Sequence, residues 1–198
     1  MRKIALASAV ALVSALAWAA APKVPVVPEN WRTLRFGMTE AEVQKQVLSY
    51  REGDRPWEKL PLTAMPVPDV AGRKVARVDL DEKRFHAWMI SQLDSAVSTA
   101  RAWFDHGKLV AFQVMVVDFD RDEYAGLMAR VYDAEPEKVT FRFEDRTQGA
   151  SEPAKELPVA LWRGEKVTAL VFQTSGWGPE LLLVSNAALP AIQKAARP

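Results

Sequence analysis

The sequence predicts an α+β fold made of two tandem helix-plus-antiparallel-sheet units, with the helices packed on one face of the sheet. Two observations lead to this prediction. Strong helix-start signals occur twice, at Thr39 and at Asp120, and alternating apolar runs follow each of them. Short glycine-containing links join several of those runs, as in β-hairpins, and hairpins imply antiparallel pairing with helices on one side.

The first helix start is a capping box. The Thr39 hydroxyl can accept a hydrogen bond from a backbone N–H of the first turn, and Glu42 can accept from the Thr39 N–H in return. Met38 and Val43 flank the box at the two positions of a hydrophobic staple. We therefore expect a helix over residues 40–50.

The second helix start repeats this arrangement. Asp120 is the capping residue, Glu123 follows three positions later, and Phe119 and Tyr124 take the staple positions. Asp120 lies 120 − 39 = 81 residues after Thr39, which suggests an internal repeat of pattern. The alternative is that any two amphipathic helices begin alike. This second helix is expected over residues 121–133.

Strand signals fill most of the remaining chain. The clearest are two hairpins, Val97–Phe104 with Leu109–Val117 and Val159–Trp162 with Val167–Gln173. Further strands are expected over residues 75–80, 85–90, 139–143 and 180–185. Residues 51–73 contain four prolines and predict a loop, while Asn186 is expected to cap a short terminal helix that carries Leu189 and Ile192.

The N-terminus predicts export. Arg2 and Lys3 precede an apolar run from Ile4 to Ala17, and small residues suited to cleavage follow. The rival interpretation is a transmembrane anchor, but the run is short for a span and Pro22 follows at once. We expect a signal peptide over residues 1–21 and an extended leader over 22–30. A first helix-sheet unit over residues 31–118 and a second over 119–198 are then expected to pack as one domain. After cleavage of the signal peptide the protein is expected to be periplasmic or secreted.

Composition excludes several classes of function. The chain has 198 residues, no cysteine and a formal charge of +1, which falls to −1 when Arg2 and Lys3 are removed. Without a basic excess we expect no nucleic-acid partner. Without cysteine there is no disulfide, and no thiol is present to carry a lipid anchor.

No motif assigns catalytic, cofactor-binding or metal-binding residues. His86 and His106 are the two histidines, and a histidine needs a placed partner to act as a base. The acids from Asp118 to Asp122 have the spacing of a Ca²⁺ loop, but Glu123 stands where that loop requires glycine. Helix capping explains the same acids.

The aromatic residues leave two interpretations open. Tryptophan can stack on sugars or line a protein interface, yet most buried aromatic residues belong to the core, which we favour. Six tryptophans follow the predicted signal peptide: Trp31, Trp57, Trp88, Trp103, Trp162 and Trp177.

The stretch Leu34-Arg35-Phe36-Gly37-Met38-Thr39-Glu40-Ala41-Glu42-Val43 resembles the helix start of the outer-membrane assembly lipoproteins called BamE or SmpA. Related helix-plus-sheet units occur in tandem in the β-lactamase inhibitor proteins. The resemblance implies a tandem helix-on-sheet fold that binds another protein, and it carries over no catalytic residue. This chain departs from the first family in lacking a lipidation cysteine and from the second in lacking disulfides.

These observations predict a soluble exported module that recognises a protein surface in the bacterial envelope, without a cofactor and without enzymatic activity. One alternative is an envelope hydrolase that uses His86 or His106 as its base. Another is a carbohydrate or lipid binder that uses exposed tryptophan. Because helices are expected to cover one face of the sheet, the opposite face is expected to carry the functional patch.

Cleavage by signal peptidase should leave a mature N-terminus at Ala20 or Pro22, because small residues occupy the positions before both bonds. Intact-mass measurement of the protein recovered from the envelope fraction tests this. Recovery of a chain that still begins at Met1 would contradict the predicted export.

Overall fold

The computed structural model describes residues 24–48, 57–60, 65–68, 74–78, 80–81, 83–91, 96–143, 155–174 and 177–195. The predicted signal peptide, residues 1–21, lies outside the described residues. Within the described part of the chain, no helix is long and apolar enough to cross a membrane.

The described residues form three helices and twelve strands. The helices are α1 (Glu40–Leu48), α2 (Arg121–Tyr132) and α3 (Leu189–Ala195). The strands are β1 (Asn30–Trp31), β2 (Leu34–Arg35), β3 (Trp57–Lys59), β4 (Met65–Pro68), β5 (Lys74–Val78), β6 (Phe85–Ser91), β7 (Val97–Asp105), β8 (Lys108–Val116), β9 (Glu137–Phe143), β10 (Lys155–Arg163), β11 (Val167–Phe172) and β12 (Glu180–Ser185).

Ten of these strands form one sheet in the order β3-β6-β7-β8-β12-β11-β10-β9-β5-β4, and β1 pairs with β2 separately. Neighbouring strands are antiparallel, except that β5 and β9 run parallel. The two predicted hairpins are confirmed as β7–β8 and β10–β11. The predicted strand over residues 180–185 is confirmed as β12.

The predicted α+β fold of two tandem helix-plus-antiparallel-sheet units is wrong, because the described residues are mostly β, with twelve strands and three short helices. Strands from both halves of the chain belong to one sheet, since β8 pairs with β12 at its centre. In addition, β4 and β5 precede β6 in the chain but extend the sheet beyond β9, at its far end. Local hairpin signals predict which neighbours in sequence pair, but they carry no information on this long-range parallel pairing.

The ten-stranded sheet is strongly curved. Flat, its edge strands β3 and β4 would lie about 43 Å apart, at about 4.8 Å per strand. Only residues 60–64 join these two strands, and they can span at most about 22 Å between Lys59 and Met65. The sheet therefore curls until its edges approach each other, which creates a concave and a convex face.

The convex face is covered by α1 and α2. Val43 and Val47 of α1 and Tyr124 and Met128 of α2 pack into one buried cluster with outward-facing sheet residues such as Trp162. The C-terminal end of α2 is also held to the sheet, because the Trp162 Nε1–H donates to the carbonyl of Ala134 at 2.8 Å. The apolar residues of α1 and α2 recur at helical spacing, so each helix has one apolar side that can pack against the convex face.

The concave face has its own buried cluster. It contains Met65 of the edge strand β4 together with Phe85, Trp103 and Leu182. Because β4 and β6 lie near opposite ends of the strand order, their side chains can share one cluster only if the sheet is curved. Ile192 of α3 is completely buried in the same cluster, so α3 lies on the opposite side of the sheet from α1 and α2. The expectation that all helices cover one face is wrong, and the opposite face is partly covered by α3.

Both predicted capping boxes are confirmed. Thr39 N donates to Glu42 Oε2 at 2.7 Å, and Glu42 N donates to Thr39 Oγ1 at 3.3 Å. The bond from the Thr39 backbone N–H, followed by one from the Thr39 hydroxyl to the same carboxylate, holds the pKa of Glu42 below its ordinary value. Asp120 and Glu123 make the equivalent pair, and α2 ends at Asp133 in a left-handed conformation.

Two local expectations need correction. The loop expected over residues 51–73 instead includes β3 and β4, where proline is tolerated because β4 is an edge strand. Asn186 does not cap α3. Its side chain instead accepts from Thr168 and donates to the carbonyls of Gly164 and Glu165, which ties the end of β12 to the β10–β11 turn. Helix α1 is described to Leu48, and residues 49 and 50 of the expected helix lie outside the described residues.

The segment before β1 packs on the sheet. Val27 is buried in the convex-face cluster, and Val26 N donates to the carbonyl of Tyr132 at 3.2 Å. Lys166 Nζ lies 2.8 Å from Glu29 Oε1, which pins the same segment to the β10–β11 turn. The described part of the expected leader, residues 24–30, is thus held on the domain.

Replacing Asp120 by alanine should lower the free energy of unfolding by about 1 kcal/mol, because the carboxylate accepts from the Glu123 backbone at 2.8 Å. Urea denaturation gives the measurement. Asp122→Ala is the matched control, since its side chain is 80% exposed and forms a surface ion pair with neighbouring Arg121, so less than about 0.5 kcal/mol should be lost. Equal losses in the two variants would contradict the capping role.

Candidate functional site

The tryptophans divide into buried and exposed groups. Trp103 and Trp162 are buried, and Trp31 and Trp88 pack partly buried against the convex-face cluster, so the core interpretation is confirmed for these four. The Trp57 side chain lies outside the described residues. Trp177 is different, because 79% of it is exposed.

Trp177 is carried by a loop that is pinned to the sheet. The next residue, Gly178, has φ +147°, and a Cβ there would lie 2.1 Å from the Val116 carbonyl oxygen. Val116 N also donates to the Pro179 carbonyl at 2.9 Å. The backbone beside Trp177 is therefore fixed against the end of β8, and a side chain at position 178 would prevent that approach.

A second exposed aromatic residue follows the same strand. Phe119 lies just beyond β8, is 41% exposed and contacts the ring of Tyr124, with the ring centroids 5.7 Å apart. Burial raises the pKa of Tyr124 to about 12, so this phenol stays neutral near pH 7. We call Trp177 and Phe119, with the intervening end of β8, the aromatic rim.

The aromatic rim is acidic on the side of α2. Four carboxylates and one arginine occupy the stretch from residue 118 to residue 123: Asp118, Asp120, Arg121, Asp122 and Glu123. The acids at 118, 120, 122 and 123 are all exposed to solvent. The surface beside Phe119 is therefore negatively charged, although the predicted mature chain is nearly neutral.

A buried polar cluster lies on the concave face at the same end of the sheet. Glu180, at the start of β12, is buried, and its carboxylate accepts hydrogen bonds from Gln113 Nε2 and from Thr174 Oγ1. The Thr174 backbone N–H donates to the same carboxylate at 3.3 Å. Glu180 thus links the middle of β8 to the start of the loop that carries Trp177.

Two residues of β7 extend this cluster. Arg101 pairs directly with Gln113 across the β7–β8 ladder, and Trp103 lies two residues further on the same face. Arg101 is half-buried, whereas Trp103 and Gln113 are buried. We call Arg101, Trp103, Gln113, Thr174 and Glu180 the inner cluster.

Two atoms of the inner cluster have no hydrogen-bond partner among the described residues. They are the Trp103 Nε1–H, a donor, and Gln113 Oε1, an acceptor. Native structures leave few buried polar atoms unpaired, because each costs about 1–3 kcal/mol. Their occurrence together on neighbouring strands makes the inner cluster the most chemically distinctive part of the described concave face.

The histidines lie elsewhere. His86 is on β6 opposite Phe104, and alternation along the strand places it on the convex face. His106 is in the β7–β8 turn, at the other end of β8 from the aromatic rim. Its Nε2 is 3.7 Å from Asp105, but that carboxylate accepts two hydrogen bonds from Arg84, which hold the pKa of Asp105 below its ordinary value.

Asp105 is therefore already engaged and is poorly placed to orient His106 as a base. The structure brings neither histidine to the inner cluster. Among the described residues, no group of three or more His, Cys, Asp and Glu side chains is arranged to hold a metal ion. Capping accounts for Asp120 and Glu123 of the acidic stretch, as the sequence indicated.

Sequence reasoning did not find the inner cluster. One feature of the sequence could have indicated it: polar residues lie within or next to strands that are otherwise mostly apolar, namely Arg101, Gln113 and Glu180. A plain two-residue hairpin turn would pair Arg101 with Phe112. A bulge between Trp103 and Phe104 in the ladder shifts the register by one residue and brings Gln113 opposite Arg101.

Comparison of the chain with protein-family models, with curated proteins and with solved structures finds no match. The resemblance of the first helix start to the assembly lipoproteins therefore stays a prediction.

Replacing Gly178 by alanine should destabilise the protein by at least about 3 kcal/mol, because the new Cβ would overlap a backbone oxygen in a strained conformation. Gly107→Ala is the matched control. Gly107 has φ +73°, but a Cβ added there would meet no atom within 4 Å, so only about 1–2 kcal/mol should be lost. Urea midpoints compare the two, and similar losses would show that the loop is not pinned.

Proposed function

We propose that the protein is exported to the periplasm or secreted and acts there as a non-enzymatic binding module. Its partner would be a protein of the bacterial envelope, recognised by the aromatic rim. The observation that carries this proposal is the exposure of Trp177 on a loop whose backbone is fixed against β8. The N-terminal signal supports the location, and the paired helix starts support the resemblance to protein-binding families.

A fixed, exposed tryptophan is well suited to protein recognition. Its large ring is costly to leave in water, and its burial in a partner's pocket recovers that free energy. Because the loop is already pinned, little conformational entropy is lost when the ring is bound. Tryptophan is accordingly among the residues that dominate binding energy at protein interfaces.

The charge beside the rim indicates the chemistry of the partner. Asp118 and Asp122 are exposed on the α2 side of Phe119 and add to the negative potential there. A partner surface with an apolar pocket flanked by lysine or arginine would complement this arrangement. Such binding should weaken as the salt concentration rises, because exposed charge pairs are screened.

The two alternatives, an envelope hydrolase and a carbohydrate or lipid binder, have less support from the described contacts. The hydrolase alternative requires His86 or His106 to act as a base, and the carboxylate nearest to His106 is held by Arg84. The carbohydrate or lipid alternative would use the same exposed Trp177 by stacking, so it is separated from protein binding by experiment.

A photo-crosslinking amino acid placed at position 177 of the full chain, in an exporting bacterium, should give a discrete adduct with one envelope protein. The same photo-crosslinking amino acid placed at position 119 instead should form an adduct with the same envelope protein, because Phe119 and Trp177 both belong to the aromatic rim. Val131 is the control position, since it is 55% exposed on α2 but lies at the other end of that helix. Adducts are identified by mass spectrometry.

Charge and histidine variants sharpen this test. Asp118→Lys with Asp122→Lys should reduce the yield at position 177 by at least about tenfold, the loss expected from unfavourable charge contacts. His86→Gln with His106→Gln should leave the yield unchanged. Adducts that are the same at positions 177 and 131, adducts to lipid or glycan alone, or loss of binding only in the histidine variant would each contradict the proposal.

A further inference from the structure

Glu180 is a buried carboxylate whose two oxygens hold different parts of the chain. Its Oε2 accepts from the Gln113 side chain of β8, while its Oε1 accepts from both the hydroxyl and the backbone N–H of Thr174. Thr174 lies just beyond β11, at the start of the loop that carries Trp177. One side chain therefore ties this loop to β8, which is not one of the two strands that the loop connects.

Packing does not explain why a carboxylate is buried at this position. Glu180 is only 5% exposed, and the described groups that donate to it are neutral. Neutral donors replace only part of the hydration that a carboxylate loses on burial. Leu182 and Val184, on the same face of β12, show that apolar side chains fill this part of the core. A residue that departs from such a pattern at a cost in stability is commonly a functional one.

The contacts of Thr174 shorten the free part of the loop. Gly178 is fixed against β8 at the other end, so 178 − 174 − 1 = 3 residues lie between the two fixed positions. Without these contacts the last ladder pair before the loop is Phe172 with Glu180, and 178 − 172 − 1 = 5 residues lie between Phe172 and Gly178. A shorter free segment has fewer conformations to lose when the loop binds a partner.

We infer that Glu180 is a positioning residue for partner recognition, because its carboxylate holds Thr174 and thereby fixes the loop that presents Trp177. This inference rests on the proposed function, since it assigns a role in the binding that the aromatic rim is proposed to carry. Glu180 is buried and acts through Thr174 rather than by contact with the partner. Loss of its hold on Thr174 should weaken binding although the exposed aromatic side chains are unchanged.

Hydrogen exchange of the loop in the full mature chain tests whether the carboxylate fixes it. Thr174→Val keeps the shape of the side chain and removes the hydroxyl donor, so the backbone amides of residues 173–179 should exchange at least about fivefold faster. Thr174→Ser restores a hydroxyl and should exchange like the unchanged protein. The change is made at Thr174 because replacing Glu180 would also leave the buried Gln113 amide without its partner.

Thr168→Val is the matched control. Thr168 is buried at the other end of β11, and its hydroxyl donates to Asn186 Oδ1 at 2.7 Å. The control variant thus loses a hydroxyl bond of the same strand, but the exchange of residues 173–179 should stay the same. Urea denaturation of each variant confirms that it is folded. Equal acceleration in Thr168→Val and Thr174→Val would overturn the inference, because the loop would then report only global stability.

The photo-crosslinking amino acid at position 177 gives the second measurement. Combined with Thr174→Val, it should form at least about fivefold less of the adduct with the envelope protein, and Thr174→Ser should restore the yield. Thr168→Val should leave the yield unchanged. The same yield in Thr174→Val as in the unchanged background would overturn the inference and leave the proposed function intact.

Two further outcomes separate the inference from the proposed function. Absence of any adduct in the background without loop variants would contradict the proposed function, and the recognition role of Glu180 would fall with it. Exchange needs no partner, so it decides independently whether Glu180 fixes the loop. Unchanged exchange in Thr174→Val would overturn the inference even where adducts form, because the loop would then be fixed without Glu180.

Discussion

The short connection between the two edges of the sheet determines the rest of the architecture. Residues 60–64 cannot span a flat ten-stranded sheet, so the sheet must curl. Curling gives one concave and one convex face, and each is then covered: by α3 on the inside and by α1 and α2 on the outside. Strands β11 and β12 are buried on both sides as a result. Most of the described residues at the centre of the sheet therefore belong to one of the two buried clusters.

A single bulge sets the chemistry of the concave face. Without it, Arg101 would lie opposite Phe112, and Gln113 would point into the convex-face core beneath the helices. The shift between Trp103 and Phe104 instead places Phe112 in that core, where its ring centroid lies 5.1 Å from that of Trp31, and turns Gln113 inward to meet Glu180. Because side chains alternate strictly along a strand, one inserted residue places Phe112 in the apolar core and Gln113 in the polar cluster at the same time.

Local signals in the sequence predicted local structure well. The capping boxes at Thr39 and Asp120 and both hairpins were predictable because each depends on residues close in sequence. The single sheet was not predictable, because the parallel pairing of β5 with β9 joins residues 140 − 74 = 66 positions apart, and neither segment carries a local signal of it. The inner cluster was missed for a related reason: Arg101 and Gln113 each appear as isolated polar residues in the sequence. Only the bulge brings Gln113 opposite Arg101, and only the long-range pairing of β8 with β12 brings Gln113 to Glu180. Trp177 could not be separated from the core tryptophans, because its exposure depends on Gly178 approaching β8.

Glu180 connects the two parts of this end of the molecule. Its carboxylate holds Gln113 inside the curved sheet and Thr174 at the first turn of the loop that carries Trp177. Gly178 and Pro179 fix the other end of that loop to Val116 of β8, the strand that also carries Gln113. The loop is therefore anchored at both ends to groups that belong to, or adjoin, the inner cluster. The hydrogen bonds of Glu180 therefore help to hold both the Gln113 side chain and the first residue of the loop in place.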